Sequence, residues 1–279
     1  MAGSDYALGY TNAEHDRLIR QAVRIAPATE RVFRASGIRR GDRVLELGSG
    51  VGDVAMLVAQ LVGPSGEVVG VERDPDSIAK ATARVTEAGL RNVTFVQNDV
   101  HKINSGDKLF DAVVGRFILM FLPDPLAMLR ETLHLVRPGG VVAFQEPSWT
   151  PLLALGSRYP LWSKLLQSIH QVFLCSGVNP EMGLDLYRVF QEAGLPAPSM
   201  NMEVPLGCDP EFTGLLAGLI TSVRPLAEQH KIDLGNLGDL STLASRIHRE
   251  IADAHSVVCF VPLVGVWSRK PESDGHTTG

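Results

Sequence analysis

Apolar positions along the chain switch repeatedly between alternation and helical spacing, which predicts strands and helices in turn. Val44, Leu45 and Leu47 read as a strand, and Val54, Leu57, Val58 and Leu61 follow at once with a helical period. Further strands are expected at 67–71, 93–96, 110–114, 141–144, 200–206 and 256–267. Helices are expected between them, at about 75–88, from Pro125 through Leu133, and at 184–193. Ahead of the first strand, Asn12 is placed to cap a helix from Ala13, with Leu18, Ile19, Ala22, Val23 and Ile25 as its apolar stripe. Pro27 is placed to start a second short helix ending near Ala35. Strands and helices in this succession predict an α/β fold.

Between the first strand and its helix lies Gly48-Ser49-Gly50-Val51-Gly52-Asp53. Glycines there let the backbone take positive φ and let a ligand approach the main chain. The new helix offers unpaired N–H groups and a positive dipole end, so a nucleotide-like cofactor is the natural guest. A dinucleotide fingerprint needs a small residue where Asp53 stands. Glu46, inside the strand, would repel a pyrophosphate and suits a cofactor carrying positive charge. An NAD(P)-dependent oxidoreductase is therefore disfavoured, and no Tyr-x-x-x-Lys pair is evident.

The run Glu46-Leu-Gly-Ser-Gly-Val-Gly-Asp53 resembles the E/D-x-G-x-G-x-G signature of class I S-adenosylmethionine-dependent methyltransferases. The likeness extends from about Gly41 to Ser148 and includes the Arg137-Pro-Gly-Gly140 turn. It implies a Rossmann-like seven-stranded sheet flanked by helices, its last strand antiparallel. It also implies that Glu46, Gly48, Ser49, Gly50 and Asp53 line S-adenosyl-L-methionine, with Glu46 supporting the ammonium group. Glu72 lies 20 residues beyond Gly52 at the end of the second strand, where a carboxylate can accept from ribose hydroxyls. Arg73 could cover the adenine and Ser77 could cap the next helix. The resemblance assigns Asp99 and Val100 to the adenine. Arg116 and Phe117, at the carboxyl end of the fourth strand, should lie beside the transferred methyl.

Composition narrows the partners. With 26 basic and 31 acidic residues the net charge is −5, and no basic block is present. Nucleic acid and anionic membranes are unexpected partners, since phosphate binding depends on clustered Lys and Arg. Three isolated cysteines exclude a disulfide framework or zinc site and read as buried thiols. No metal site is evident. No apolar run reaches about 18 residues and no secretory leader is seen, so a soluble cytoplasmic protein is expected.

From Trp149 to Leu174 aliphatic and aromatic residues crowd together more densely than a sheet-covering helix requires. They read as an inserted cap over the acceptor pocket, or as core or a dimer face. Expected units are an N-terminal helical lid (1–36), the cofactor-binding core (37–148), the helical cap (149–182) and the rest of the core (183–269, with a helical insertion at 210–253). A disordered tail is expected at 270–279. The polar side of the first helix (Glu14, His15, Arg17, Arg20) is either a solvated face or the underside of the lid. Tyr10, Phe117, Met120, Trp149, Trp162 and Phe173 are candidates for contact with a small, mostly apolar acceptor. Methyl transfer depends mainly on positioning, and a general base would come from Glu146, His15 or His170. A homo-oligomer fits the apolar cap. A non-catalytic cofactor-binding protein is the further alternative.

Overall fold

The computed structural model describes residues 8–99 and 108–272. In chain order its elements are α1 (Asn12–Ser36), β1 (Arg43–Leu47), α2 (Asp53–Val62), β2 (Glu67–Glu72), α3 (Pro75–Glu87) and β3 (Val93–Gln97). Then come β4 (Phe110–Arg116), α4 (Pro125–Leu133), β5 (Val136–Pro147), α5 (Trp149–Gly156), α6 (Pro160–Cys175) and α7 (Met182–Glu192). The remainder is β6 (Ser199–Glu203), β7 (Leu206–Gly207), α8 (Pro210–Ser222), α9 (Arg224–Gln229), α10 (Leu243–Asp253), β8 (Val258–Cys259) and β9 (Leu263–Arg269).

Seven strands form one sheet in the order β3-β2-β1-β4-β5-β9-β6, with β9 antiparallel to both neighbours. Its central parallel strands are buried on both faces, which is why they read as near-continuous apolar runs. Val44, Ala112, Val114 and Ala143 face α1 and α2 through Val32, Phe33, Val54 and Val58. Leu45, Leu47, Val113, Val142 and Phe144 face the opposite core. In that core, Trp149, Trp162, Leu166, Ile169 and Phe173 pack with Phe212, Leu216, Ile220, Ile247 and Ile251. Residues 149–175 and 210–253 thus build one helical layer whose core is continuous with that face of the sheet. Packing within this shared core accounts for much of the apolar density after Ser148.

Several expected boundaries move for local reasons. Helix α1 runs unbroken through Pro27, capped by Thr11 rather than Asn12. Burial of Ile25, Ala28, Val32 and Phe33 on either side of the proline outweighs the one main-chain bond it removes. Its polar side is solvated only at Arg20, since Glu14, His15 and Arg17 are buried, whereas Val23 of the supposed stripe is 69% exposed. Asp74 caps α3 by accepting from the Ser77 N–H. Arg137-Pro-Gly-Gly140 lies within β5 and not before it: Phe110 faces Val136 and Ala112 faces Val141, so the extra residues bulge, with Gly139 at φ +69°. The final strand is split by Pro262 into β8, which pairs with β7, and β9.

Lys270 is anchored, its Nζ donating to the Leu133 and Val136 carbonyls at 2.8 Å, against the disordered tail expected from 270. Cys175 and Cys208 are exposed and Cys259 is partly buried, contrary to three buried thiols. Among the described residues no helix is long and apolar enough to cross a membrane.

Candidate active site

The carboxyl ends of β1, β2 and β4 converge on the glycine loop. Glu46 is 2% exposed, and among the described residues its Oε2 has no hydrogen-bond partner. Burial holds its carboxyl well above the ordinary range, with Asp53 and Glu72 adding to the effect and Arg116 and the Ala55 N–H opposing it. Ser49 Oγ is also buried without a partner. So is Nε2 of Gln145, which lies on the same sheet face as Glu46, held through its Oε1 by Thr29 Oγ1 at 2.7 Å. Buried polar groups left unpaired are uncommon and point to a missing partner. An acceptor at Glu46 and donors at Ser49 and Gln145 fit the ammonium and carboxylate of an amino-acid moiety.

The loop glycines divide their duties. A Cβ at Gly48 would come within 2.6 Å of Ile118, and one at Gly52 within 3.1 Å of Ala81 and Phe95. Those two permit close packing. At Gly50 (φ +50°) a Cβ would meet nothing within 4 Å, so this is where the main chain borders open space. Glu72 holds the loop from behind, accepting from the Gly50 N–H at 2.9 Å and from the Arg73 and Asp74 N–H groups at 2.8 and 3.0 Å. Asp53 is paired with Arg84 at 2.7 Å, and Arg84 also donates to the Val51 carbonyl, so Asp53 braces the loop against α3. Arg73 donates to the Tyr10 hydroxyl at 2.7 Å. Asp99 is exposed beyond β3, its N–H bonded to Asn98 Oδ1. Val100 lies outside the described residues.

Arg116, beside Glu46 and Asp53, donates to Thr29 Oγ1 at 3.1 Å. Burial lowers its guanidinium, while the two carboxylates oppose that shift. The next residue, Phe117, takes φ +54°, an unusual setting for a bulky side chain and a mark of functional turns. It lines an apolar cleft with about 450 Å³ of open space, part of it continuous with solvent. Met120, Phe121, Trp149 and Phe173 line the same cleft, with Leu18 of α1, Leu216 and Leu219 of α8, and Phe260.

Glu146 is fully buried, and its carboxylate accepts from the main-chain N–H groups of Ile118 (2.9 Å), Leu119 (2.8 Å) and Met120 (3.4 Å). Burial raises its pKa to about 7, against the lowering effect of those bonds. It does not line the cleft, so the expected base is instead the fastening of the turn that joins Gly48 to the cleft. The other two candidates fail by placement. His15 is buried with Nε2 3.0 Å from Ser77 Oγ, tying α1 to α3. His170 is half-buried beside Trp149, its ring pushed down by burial, outside the cleft. Trp162 is also outside it, fully buried under α5 and α6. Tyr10 lines a separate polar hollow with Thr11, Asn12, His15, Asp76 and Lys80.

Sequence reasoning missed Gln21, Phe121, Leu216, Leu219, Phe260 and Val261 as cleft residues. Their role depends on α1, the 119–121 turn, α8 and the segment between β8 and β9 meeting at one place, which no local pattern encodes. Among the described residues no cluster of His, Cys, Asp or Glu could hold a metal ion.

A 3-2-1-4-5-9-6 sheet with an acid inside β1, a glycine loop and an acid at the end of β2 defines the class: a nucleoside-cofactor fold of the kind that binds S-adenosylmethionine. Residues 38–194, more than half of the chain, match the model of a methyltransferase domain, and the chain belongs to that family. It is an S-adenosylmethionine-dependent methyltransferase of class I, which tells against the oxidoreductase alternative. Demethylmenaquinone methyltransferases of Staphylococcus aureus strains are 28% identical over 176 residues, covering 59% of this chain and 72% of theirs. The fold is shared with a [4+2]-cyclase, SpnF (TM-score 0.55, 21% identity, 88% of this chain and 81% of that one). It is shared too with a Haemonchus contortus phosphoethanolamine N-methyltransferase 2, solved with S-adenosylhomocysteine (TM-score 0.52, 16% identity, 84% and 50%).

Proposed function

We propose that this enzyme methylates a small, mostly apolar acceptor seated in the cleft between α1, the 117–121 turn and the cap helices. The observation that carries the reading is the continuity of the two sites. Ile118 packs on Gly48 of the cofactor loop, while Phe117 and Met120 of the same turn line the cleft. Glu46 and Ser49 would hold the amino-acid end of the cofactor, and Glu72 its ribose while steadying the Gly50 main chain. Bound there, S-adenosylmethionine supplies an electrophilic methyl group.

The chain's own contribution is positioning and exclusion of water, since among the described residues lining the cleft Arg17 is the sole ionisable side chain. This favours an acceptor whose nucleophile needs no protein base, such as a phenolate, an enolate or an electron-rich ring carbon. The demethylmenaquinone methyltransferases bear on the same point, as proteins named for an apolar acceptor. We place the reaction in secondary metabolism and the enzyme in the cytoplasm as a homo-oligomer. Exposed Met200 and Met202 on the edge strand β6 support self-association.

The test is transfer of a labelled methyl from S-adenosylmethionine across a panel of naphthols, naphthoquinols and aliphatic β-diketones, read by mass. Leu18→Trp, which fills the cleft without emptying the core, should raise the acceptor KM about tenfold or more and leave cofactor affinity unchanged. Equal acceptor kinetics in the variant would remove the cleft from the reaction.

A further inference from the structure

The apolar cleft contains one buried charge whose arrangement the methyltransferase reading leaves unexplained. Arg17 on α1 is 3% exposed and lines the cleft. Its Nε donates to Glu14 Oε2 at 2.7 Å, its Nη2 to Glu14 Oε1 at 2.5 Å, and its Nη1 to Gln21 Oε1 at 2.7 Å. Glu14, 1% exposed, also accepts from Ser222 Oγ of α8. A guanidinium has five N–H groups. Three are engaged, so two remain without an acceptor among the described residues.

The surroundings are built to hold this side chain in place. Gly218 sits inside α8, where glycine is unfavourable, and a Cβ there would come within 3.2 Å of Arg17 Cδ. The helix therefore gives up a side chain to let the arginine stem pass. The Glu14–Arg17 pair is neutral as a unit, so a second anion would gain little net charge compensation from it. A neutral oxygen with free lone pairs matches the spare donors. The rest of the cleft, from Leu18 to Phe260, is apolar apart from Gln21.

We propose that Arg17 is a specificity-determining residue that hydrogen-bonds a carbonyl-type oxygen on an otherwise apolar acceptor. This rests on the acceptor reading of the cleft and narrows it to oxygenated apolar molecules: ketones, quinone-like rings and their enols. A site built to hydrogen-bond an oxygen rejects an analogue lacking it, because the buried donors are then left unpaired.

The test uses two probes of matched shape, 2-acetylnaphthalene and 2-ethylnaphthalene, measured by equilibrium dialysis against the full-length protein saturated with S-adenosylhomocysteine. The ketone is expected to bind the wild type on the order of tenfold or more tightly than the hydrocarbon. In the double variant Glu14→Leu/Arg17→Met, which replaces the ion pair by apolar side chains of similar size, that preference should collapse to about one. Hydrocarbon binding and S-adenosylhomocysteine affinity should persist there. Equal binding of the two probes by the wild type would overturn the proposal and leave the cleft standing as an apolar acceptor site. Binding of neither probe would overturn both, with S-adenosylhomocysteine affinity reporting separately on the cofactor loop. An unchanged ketone preference in the variant would also overturn it. Should the variant not fold, the wild-type comparison decides alone.

Discussion

Glu46 and Glu146 both lie near the carboxyl ends of sheet strands, both out of water, and their surroundings are opposite in kind. Glu146 is satisfied by three main-chain N–H groups, whereas Glu46 keeps an oxygen with no partner among the described residues. The first is a fastening, and the second leaves a buried acceptor oxygen at the edge of the glycine loop. Glu146 carries a testable linkage. Its pKa rises from an ordinary 4.5 to about 7 in the folded state, so the folded protein holds that proton more tightly than the unfolded chain. Its contribution to stability is therefore greatest below about pH 4.5 and falls as pH rises toward 7, by on the order of 3 kcal/mol. Glu146→Gln should remove that slope, so urea denaturation of the wild type and variant should diverge by that amount between pH 4.5 and 7. Parallel profiles would show that Glu146 titrates normally. From sequence, strand-tip position made Glu146 look like a base, because the N–H groups it holds belong to a turn 26 to 28 residues earlier.

At the scale of elements, the same use of carboxylates recurs. Glu181 accepts from the Trp149 and Thr150 N–H groups at the start of α5, and Glu250 from those of Leu161 and Trp162 at the start of α6. The first N–H groups of a helix lack internal partners and favour negative charge, so these distant acids act as caps. They fix where the cap helices begin and thus where Trp149 stands in the cleft. Glu250→Ala should destabilise the protein by about 1–2 kcal/mol, with Glu250→Gln recovering part of that, as read by chemical denaturation. No loss in the alanine variant would mean that α6 is held by packing alone.

Legibility follows the range of the interactions. The β1-loop-α2 unit and the helix α7 could be read because their signals lie within a dozen residues. The continuity of α1 through Pro27, the burial of Glu14 and Arg17, and the remote caps could not, since each depends on contacts outside its own element: Glu14 meets Ser222 of α8, 208 residues on, and Glu181 and Glu250 cap helices 31 to 89 residues away.

For the molecule as a whole, the sheet sets the glycine loop, and α1 with the helices after Ser148 encloses the apolar cleft proposed to take the acceptor. The 116–120 turn joins the two, with Arg116 facing Glu46 and Asp53, Ile118 against Gly48, and Phe117 and Met120 in the cleft. On the proposed reading, keeping water from this junction is the fold's main chemical contribution, because in-line transfer needs little beyond reacting atoms held about 3 to 3.5 Å apart.

On the proposed reading Glu46 receives the ammonium group of S-adenosylmethionine. The direct measurement is calorimetric titration of S-adenosylhomocysteine at pH 5.5 in two buffers of different ionisation enthalpy, with NAD in parallel. A carboxyl raised by burial in the free protein must ionise when the cation arrives, so binding should release protons and should weaken as pH falls. Glu46→Gln should bind at least tenfold more weakly and without that release, and NAD should give no binding heat. Binding of NAD, or a Glu46→Gln variant that matches the wild type in affinity and proton release, would mean that Glu46 does not receive the cofactor's ammonium group.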